Sequence, residues 1–280
     1  MSAISNVSAQ SKESLVRKYP LVGFFALAIG LTWLLALPST VFGMPFKPFQ
    51  AAGAYGPLFA AVIVSAAMGG DELGSLFRRM TNFRFGLGWY LLAIFGNILL
   101  YLLVAGLLGA PLTQSLAEKW SLIFTLYIPA LFTSYLVNSL GEETGWTGFA
   151  LPRLQKRFSP WLSAVILGAV WAIWHLPAYF VPSEMGAFNP VNFIFFTLIS
   201  IFIRIIWTWV TNNAQGSGIS GILLHASSNA VSLALIPALL PVPTTDQMAI
   251  SGLLLLGLLF LFAVFIIRFT RGRLSYKQGV

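Results

Sequence analysis

An all-α bundle of about eight transmembrane helices is the fold this sequence predicts, and three observations predict it. Hydrophobic residues make up 58% of the chain and charged residues only 9%, against roughly 25% charged in soluble domains. The mean hydropathy is +0.83. The 280 residues contain several apolar runs near the roughly 20 residues that cross a hydrocarbon core. Residues 1–280 therefore read as one integral membrane domain with no soluble module. The spans should be helices, because a lipid-exposed segment has to satisfy its own backbone hydrogen bonds.

In chain order, polar residues 1–20 form a tail and the first span follows at 21–42. That run is longer than a signal-peptide core and no clear A-x-A site follows it, so it reads as a retained span. Spans at 51–69 and 89–110 flank a loop, 70–88, that carries Arg78, Arg79 and Arg84. The fourth span, 121–141, ends at the adjacent Glu142 and Glu143, and a second basic loop, 142–160, carries Arg153, Lys156 and Arg157. Spans at 160–181, 191–211, 218–240 and 247–268 complete the set, followed by a basic tail at 269–280.

Charge placement supports an even count. With the two tails and the 70–88 and 142–160 loops on one side, that side holds thirteen basic residues, including Lys12, Arg17, Lys18, Arg268, Arg271, Arg273 and Lys277. The other side holds Lys47 and Lys119. By the positive-inside rule both termini are cytoplasmic, in a bacterial or archaeal cell membrane. The net charge of +8 thus belongs to topology and anionic-lipid contact and argues against a nucleic-acid partner. With no cysteine, disulfides, thiolate nucleophiles and Cys-ligated metals are excluded.

Ionisable residues inside the spans carry the functional signal, since a charge near mid-membrane costs roughly 2.5–3.5 kcal/mol on insertion scales. They are Glu142 and Glu143, His175, Arg204, and His225 with Asn229; His175 and His225 are the only histidines. His225 and Asn229 are four apart and share a helix face, so both can aim at one substrate atom. Trp171 lies one turn before His175, where its indole can wall a pocket and fix the imidazole. Adjacent glutamates diverge by about 100°, so one faces a site while the other orients a partner group or a metal. Taken singly, each has an ordinary explanation: an interfacial carboxylate pair, a packed histidine, small polar residues between helices, a snorkelling arginine. Their concentration in the fourth to seventh spans is what points to a site.

A carboxylate, imidazoles and a pair of hydrogen-bond donors suffice to hydrolyse an amide. Glutamate serves as general base on water, His175 holds that water, and His225 with Asn229 donates to the oxyanion. The same atoms also offer a His₂Glu zinc set, with Glu143, His175 and His225 as candidate ligands. H-E-x-x-H is absent, and spacing does not choose between Zn²⁺ and no cofactor.

EETGW at 142–146 with GFALPRL at 148–154, then WAIWH at 171–175 and HASSN at 225–229, resemble in order the motifs EExxxR, FxxxH and HxxxN/D of the CPBP intramembrane endopeptidases. That family includes type II CAAX prenyl endopeptidases and bacteriocin-processing or immunity proteins. The resemblance covers about residues 120–235, read as a catalytic core. It implies an eight-helix bundle with a recessed cytoplasmic site that cuts a membrane-associated or hydrophobic peptide. It further implies that Glu142 and His175 activate water while His225 and Asn229 stabilise the oxyanion, with metal-free and metalloprotease mechanisms both proposed for the family.

Two positions depart from the motifs: Thr147 replaces the arginine and Trp171 the phenylalanine. Arg204 is expected to supply the missing guanidinium. Otherwise the chain is catalytically dead and only binds, as an immunity factor or a transporter does; no internal repeat of the transporter kind is visible. A geometric difficulty attends the drawn spans. His175, about 15 residues into its span, should lie roughly 22 Å deep, too deep to meet Glu142 at a helix end. A fourth span ending deeper than drawn is one of three arrangements that relieve it, beside a fifth helix that tilts strongly or starts outside the hydrocarbon.

Overall fold

The computed structural model describes residues 15–181, 188–240 and 244–277. The first fourteen residues of the predicted tail and the last three of the chain lie outside them. The described residues are mostly helical and contain no strand. Among the described residues, eight helices are long and apolar enough to cross a membrane: α1 Pro20–Phe42, α2 Phe46–Met68, α3 Leu87–Leu107, α4 Ile123–Gln155, α5 Pro160–Phe180, α6 Pro190–Asn213, α7 Gly218–Leu239 and α8 Asp246–Phe269. The chain is a polytopic helical membrane protein. Large apolar side chains such as Leu99, Phe132, Val191 and Phe265 face outward on its surface, as lipid-facing positions require.

The fourth span differs from the sequence reading. Residues 142–155 are not loop; α4 continues as helix to Gln155. Glu142 therefore lies 13 residues from that end, about 20 Å along the axis, while His175 lies 15 residues from Pro160, about 22 Å. The difficulty over depth disappears because α4 carries its carboxylates into the bundle. Arg153, which gave residues 142–160 their loop-like charge, donates to the Phe149 carbonyl at 2.9 Å and pairs with Glu72.

α4 is irregular around the glutamates. It widens to π-helix at Tyr135–Ser139 and again at Thr144–Ala150, the kind of insertion that gathers at functional sites. α2 is interrupted between Gly53 and Gly56, and α4 packs directly on that break. A side chain on Gly141 would meet the Ala54 carbonyl, and one on Gly145 would meet Pro57. Bare backbone at these two positions lets α4 and α2 approach as small residues do in membrane bundles.

One end of the bundle is tied together by polar contacts. Arg17 donates to the Ala67 carbonyl, Ser217 to that of Asn82, Gln155 to the Asn212 side chain, and Asn212 to the Leu274 carbonyl. The start and the finish of the described chain thus lie at the same end. Lys119 reaches the carbonyls of Ala238 and Leu239 at the C-terminal end of α7, away from the Ser217 contact at its start.

Candidate active site

The two glutamates follow one another on α4 and face different partners, as their angular separation demands. Glu143 is fully buried. Arg204 of α6 grips it with two parallel hydrogen bonds, Nη1 to Oε2 at 2.7 Å and Nη2 to Oε1 at 2.8 Å. Thr147 donates to Oε2, and His225 Nδ1 lies 3.0 Å from Oε1. Arg204 itself is 1% exposed and sits 4.5 Å over the Trp171 ring and 5.1 Å over Trp207. It is no snorkelling side chain; it neutralises a carboxylate that would otherwise be buried alone.

Glu142 is also buried. Its Oε2 accepts the Trp171 indole N–H at 2.7 Å, and its Oε1 lies 4.0 Å from His225 Nε2. A carboxylate only accepts, so His225 donates through Nδ1–H to Glu143 and turns Nε2 towards Glu142. His175 follows the same logic. Its Nδ1 lies 2.9 Å from the Trp171 carbonyl, which also only accepts, so Nε2 is the free nitrogen. The α-helix ends at Trp174, and Pro177 lies in the 3₁₀ turn Leu176–Phe180 that follows.

A cavity of about 50 Å³, large enough for a few water molecules, brings Glu142 and His175 together with Thr32, Gln50, Asn138 and Trp174. His225 stands behind Glu142 and does not line this space. Asn229 does not line it either, and its carboxamide donates to Ser134 at 3.1 Å. The structure thus joins Glu142 to His175 through the cavity and to His225 directly, and joins Glu143 to His225. It does not bring Asn229 to the same point.

Two positioning residues, Ser227 and Asn97, escaped the sequence reading, and Trp171 has a contact beyond the role predicted for it. Trp171 does more than wall a pocket, because its indole donates a hydrogen bond that phenylalanine lacks. Ser227 donates to the Ile94 carbonyl at 2.7 Å and accepts from Asn97 and Tyr127, tying α3 and α4 to the helix that bears His225. Asn97, a polar residue in mid-span, was the available signal.

The candidate zinc set does not fit this arrangement. Among the described residues no group of three or more His, Cys, Asp or Glu side chains is arranged to hold a metal ion. The donor chemistry gives the reason: both oxygens of Glu143 are held by Arg204 and shared with His225 and Thr147, and a guanidinium against the carboxylate repels a second cation. Glu143 is a partner of His225, not a free ligand.

Comparison with known proteins meets this geometry at the same residues. Residues 124–231 match the family described as Type II CAAX prenyl endopeptidase Rce1-like. The chain is 30% identical over 189 residues to the CAAX prenyl protease 2 of Methanococcus maripaludis. Over these residues the chain is similar to the CAAX prenyl endopeptidases. The alignment takes in 65% of this chain and spans 65% of the length of the curated relative. The matched segment contains Glu142, Glu143, His175, His225 and Asn229, and also Arg204, so the guanidinium that grips Glu143 lies within it.

Proposed function

We propose that this protein is an intramembrane endopeptidase that cuts a hydrophobic or lipidated peptide with water activated by Glu142. The observation that carries the reading is the water-sized cavity shared by Glu142 and His175 inside eight apolar helices. A water there donates to Glu142 and to the Nε2 lone pair of His175. Glu142 takes its proton while the oxygen attacks the peptide carbonyl carbon. The tetrahedral oxyanion then collapses, the C–N bond breaks, and the proton passes to the leaving nitrogen, giving a carboxylate and an amine. His225 turns Nε2 to within 4.0 Å of Glu142 and helps position that carboxylate during the transfer.

Glu143 serves this chemistry at one remove by fixing the His225 tautomer. Thr147 at the motif arginine's position is no sign of a dead enzyme in this reading, since Arg204 delivers a guanidinium to the glutamate from α6. Glu143 being fully engaged, the mechanism is metal-free. The name of the M. maripaludis relative supports a substrate whose scissile bond lies near a membrane-held C-terminus. Basic residues at the tied end of the bundle support cytoplasmic termini and a site entered from that side.

The test is cleavage of a quenched fluorescent peptide library by the purified protein. Wild type should cut, Glu142→Ala and His225→Ala at equal folding should not, and 1,10-phenanthroline should leave wild-type cleavage within twofold. Cleavage unaffected by both substitutions would remove the peptidase reading; loss to the chelator, restored by zinc, would remove its metal-free form.

A further inference from the structure

A crevice separates α8 from α3 and α7. Its inner lobe, about 180 Å³, is walled by Gly96 of α3, Trp207 of α6, Leu224 of α7 and Leu259 of α8. Its outer lobe, about 440 Å³, lies between Ala105 and Pro111 on one side and Pro237 and Gly252 on the other. Tyr101 and Leu255 border both lobes, so the two form one space. Along α8 it runs from Gln247 in the outer lobe to Phe262 in the inner one, about 22 Å at the helical rise. Gly109, Pro111 and Gln247 are exposed, which puts the mouth at the end of the bundle where Lys119 meets α7.

The walls select the occupant. No Asp, Glu, Lys, Arg or His among the described residues borders either lobe. Asn97 spends its amide on the Leu224 carbonyl and on Ser227, Ser251 donates to the Met248 carbonyl at 2.7 Å, and Gln247 accepts from the Thr244 backbone. Water would find too few partners to stay. A protein helix is too thick, since ten residues of helix, roughly 10 Å across and 15 Å long, occupy about 1,200 Å³. A single hydrocarbon chain fits, and the crevice is continuous with surface that bilayer chains already cover: Leu99 and Leu103 of α3 and Leu253 and Leu261 of α8 are exposed. The chain cannot be one carried by a peptide in the Glu142 cavity, because the two spaces share no bordering residue. Trp207 stands between them, its ring 5.5 Å from that of His225 and 5.1 Å from the Arg204 guanidinium.

We infer that this crevice is a lipid site, filled by one hydrocarbon chain of a bilayer phospholipid that enters beside Pro111 and Gln247. From the mouth at Gln247 to the junction at Leu255 is about 12 Å. A chain of one leaflet reaches about 15 Å, half the hydrocarbon core, so it passes the junction and ends in the inner lobe. There it packs the far side of Trp207, one side chain removed from His225. Binding of this kind does not depend on the peptidase chemistry.

The experiment places the full-length protein in vesicles of phosphatidylethanolamine and phosphatidylglycerol, doped with a phosphatidylglycerol that carries a photoactivatable diazirine near the methyl end of one acyl chain. Mass spectrometry then maps the adducts formed on irradiation. Leu259 is 4% exposed and Leu261, on the same helix, 63%, so contact with the surrounding bilayer labels only Leu261. A chain in the crevice labels Leu259 as well. Leu255→Trp, which fills the junction, should lose the Leu259 adduct and keep that at Leu261; if it does not fold, Leu255→Phe takes its place. An unlabelled Leu259 beside a labelled Leu261 in wild type would overturn the site, and so would a Leu259 adduct undiminished in the folded Leu255 variant. Cleavage is not the readout, so failure of the peptidase reading would leave this result standing, and the reverse holds too.

Discussion

Glu143 holds the polar cluster together: one carboxylate accepts from Arg204, Thr147 and His225, and through His225 it sets which imidazole nitrogen faces Glu142. Removing the guanidinium strands a charge in the interior, a loss of roughly 3–5 kcal/mol for a broken buried pair. Arg204→Ala should therefore lower the melting temperature and abolish cleavage. Adding Thr147→Arg in that background returns a guanidinium to the motif position, into space vacated by Arg204, and should recover part of both; a double variant no better than Arg204→Ala would count against a shared role. At this scale the sequence was informative because charge is scarce in it. Glu142, Glu143, His175, Arg204 and His225 stand out from an apolar background, and the pairing of Arg204 with a glutamate follows from the empty motif position. Asn138 was not legible, since an uncharged amide in a span reads as ordinary packing until a cavity is seen beside it.

At the scale of elements, the length and irregularity of α4 decide where the chemistry sits. The sequence ended this helix at 141 because Arg153, Lys156 and Arg157 read as loop charges, whereas Arg153 is folded back onto the helix carbonyl of Phe149 and onto Glu72. π-helical turns leave no periodic signature strong enough to read in a single sequence. The remaining boundaries were legible within several residues, because hydrophobic length is a direct physical requirement of the bilayer. The close approach of α4 to the break in α2 makes a specific demand at Gly145. Gly145→Val places side-chain atoms against Pro57, and overpacking of this kind costs about 1–3 kcal/mol. A lowered melting temperature with a proportionate loss of activity is expected; an unchanged melting temperature would show that the helices are not held as closely as the structure has them.

For the whole molecule, the even number of spans and the polar ties at one end make a single prediction about sidedness. The natural chain has no cysteine, so single cysteines report topology without background. Lys277→Cys should be shielded from a membrane-impermeant maleimide in intact cells and become reactive on lysis, while Gln114→Cys should react from outside. The reverse pattern would invert the bundle and move the entrance of the site to the other face. The fold as a whole was readable from composition and charge distribution. The meeting of four helices around one water-sized space was not, because nothing in a linear pattern states how far each helix end stands from the membrane surface.

The claim on which the rest depends is that Glu142 activates the attacking water, and the kcat of Glu142→Gln on the peptide that wild type cuts fastest tests it most directly. The account predicts a fall of roughly 10²–10⁴, the range of general-base catalysis, with the melting temperature preserved because the amide still accepts from Trp171. A folded variant that turns over within twofold of wild type would contradict it.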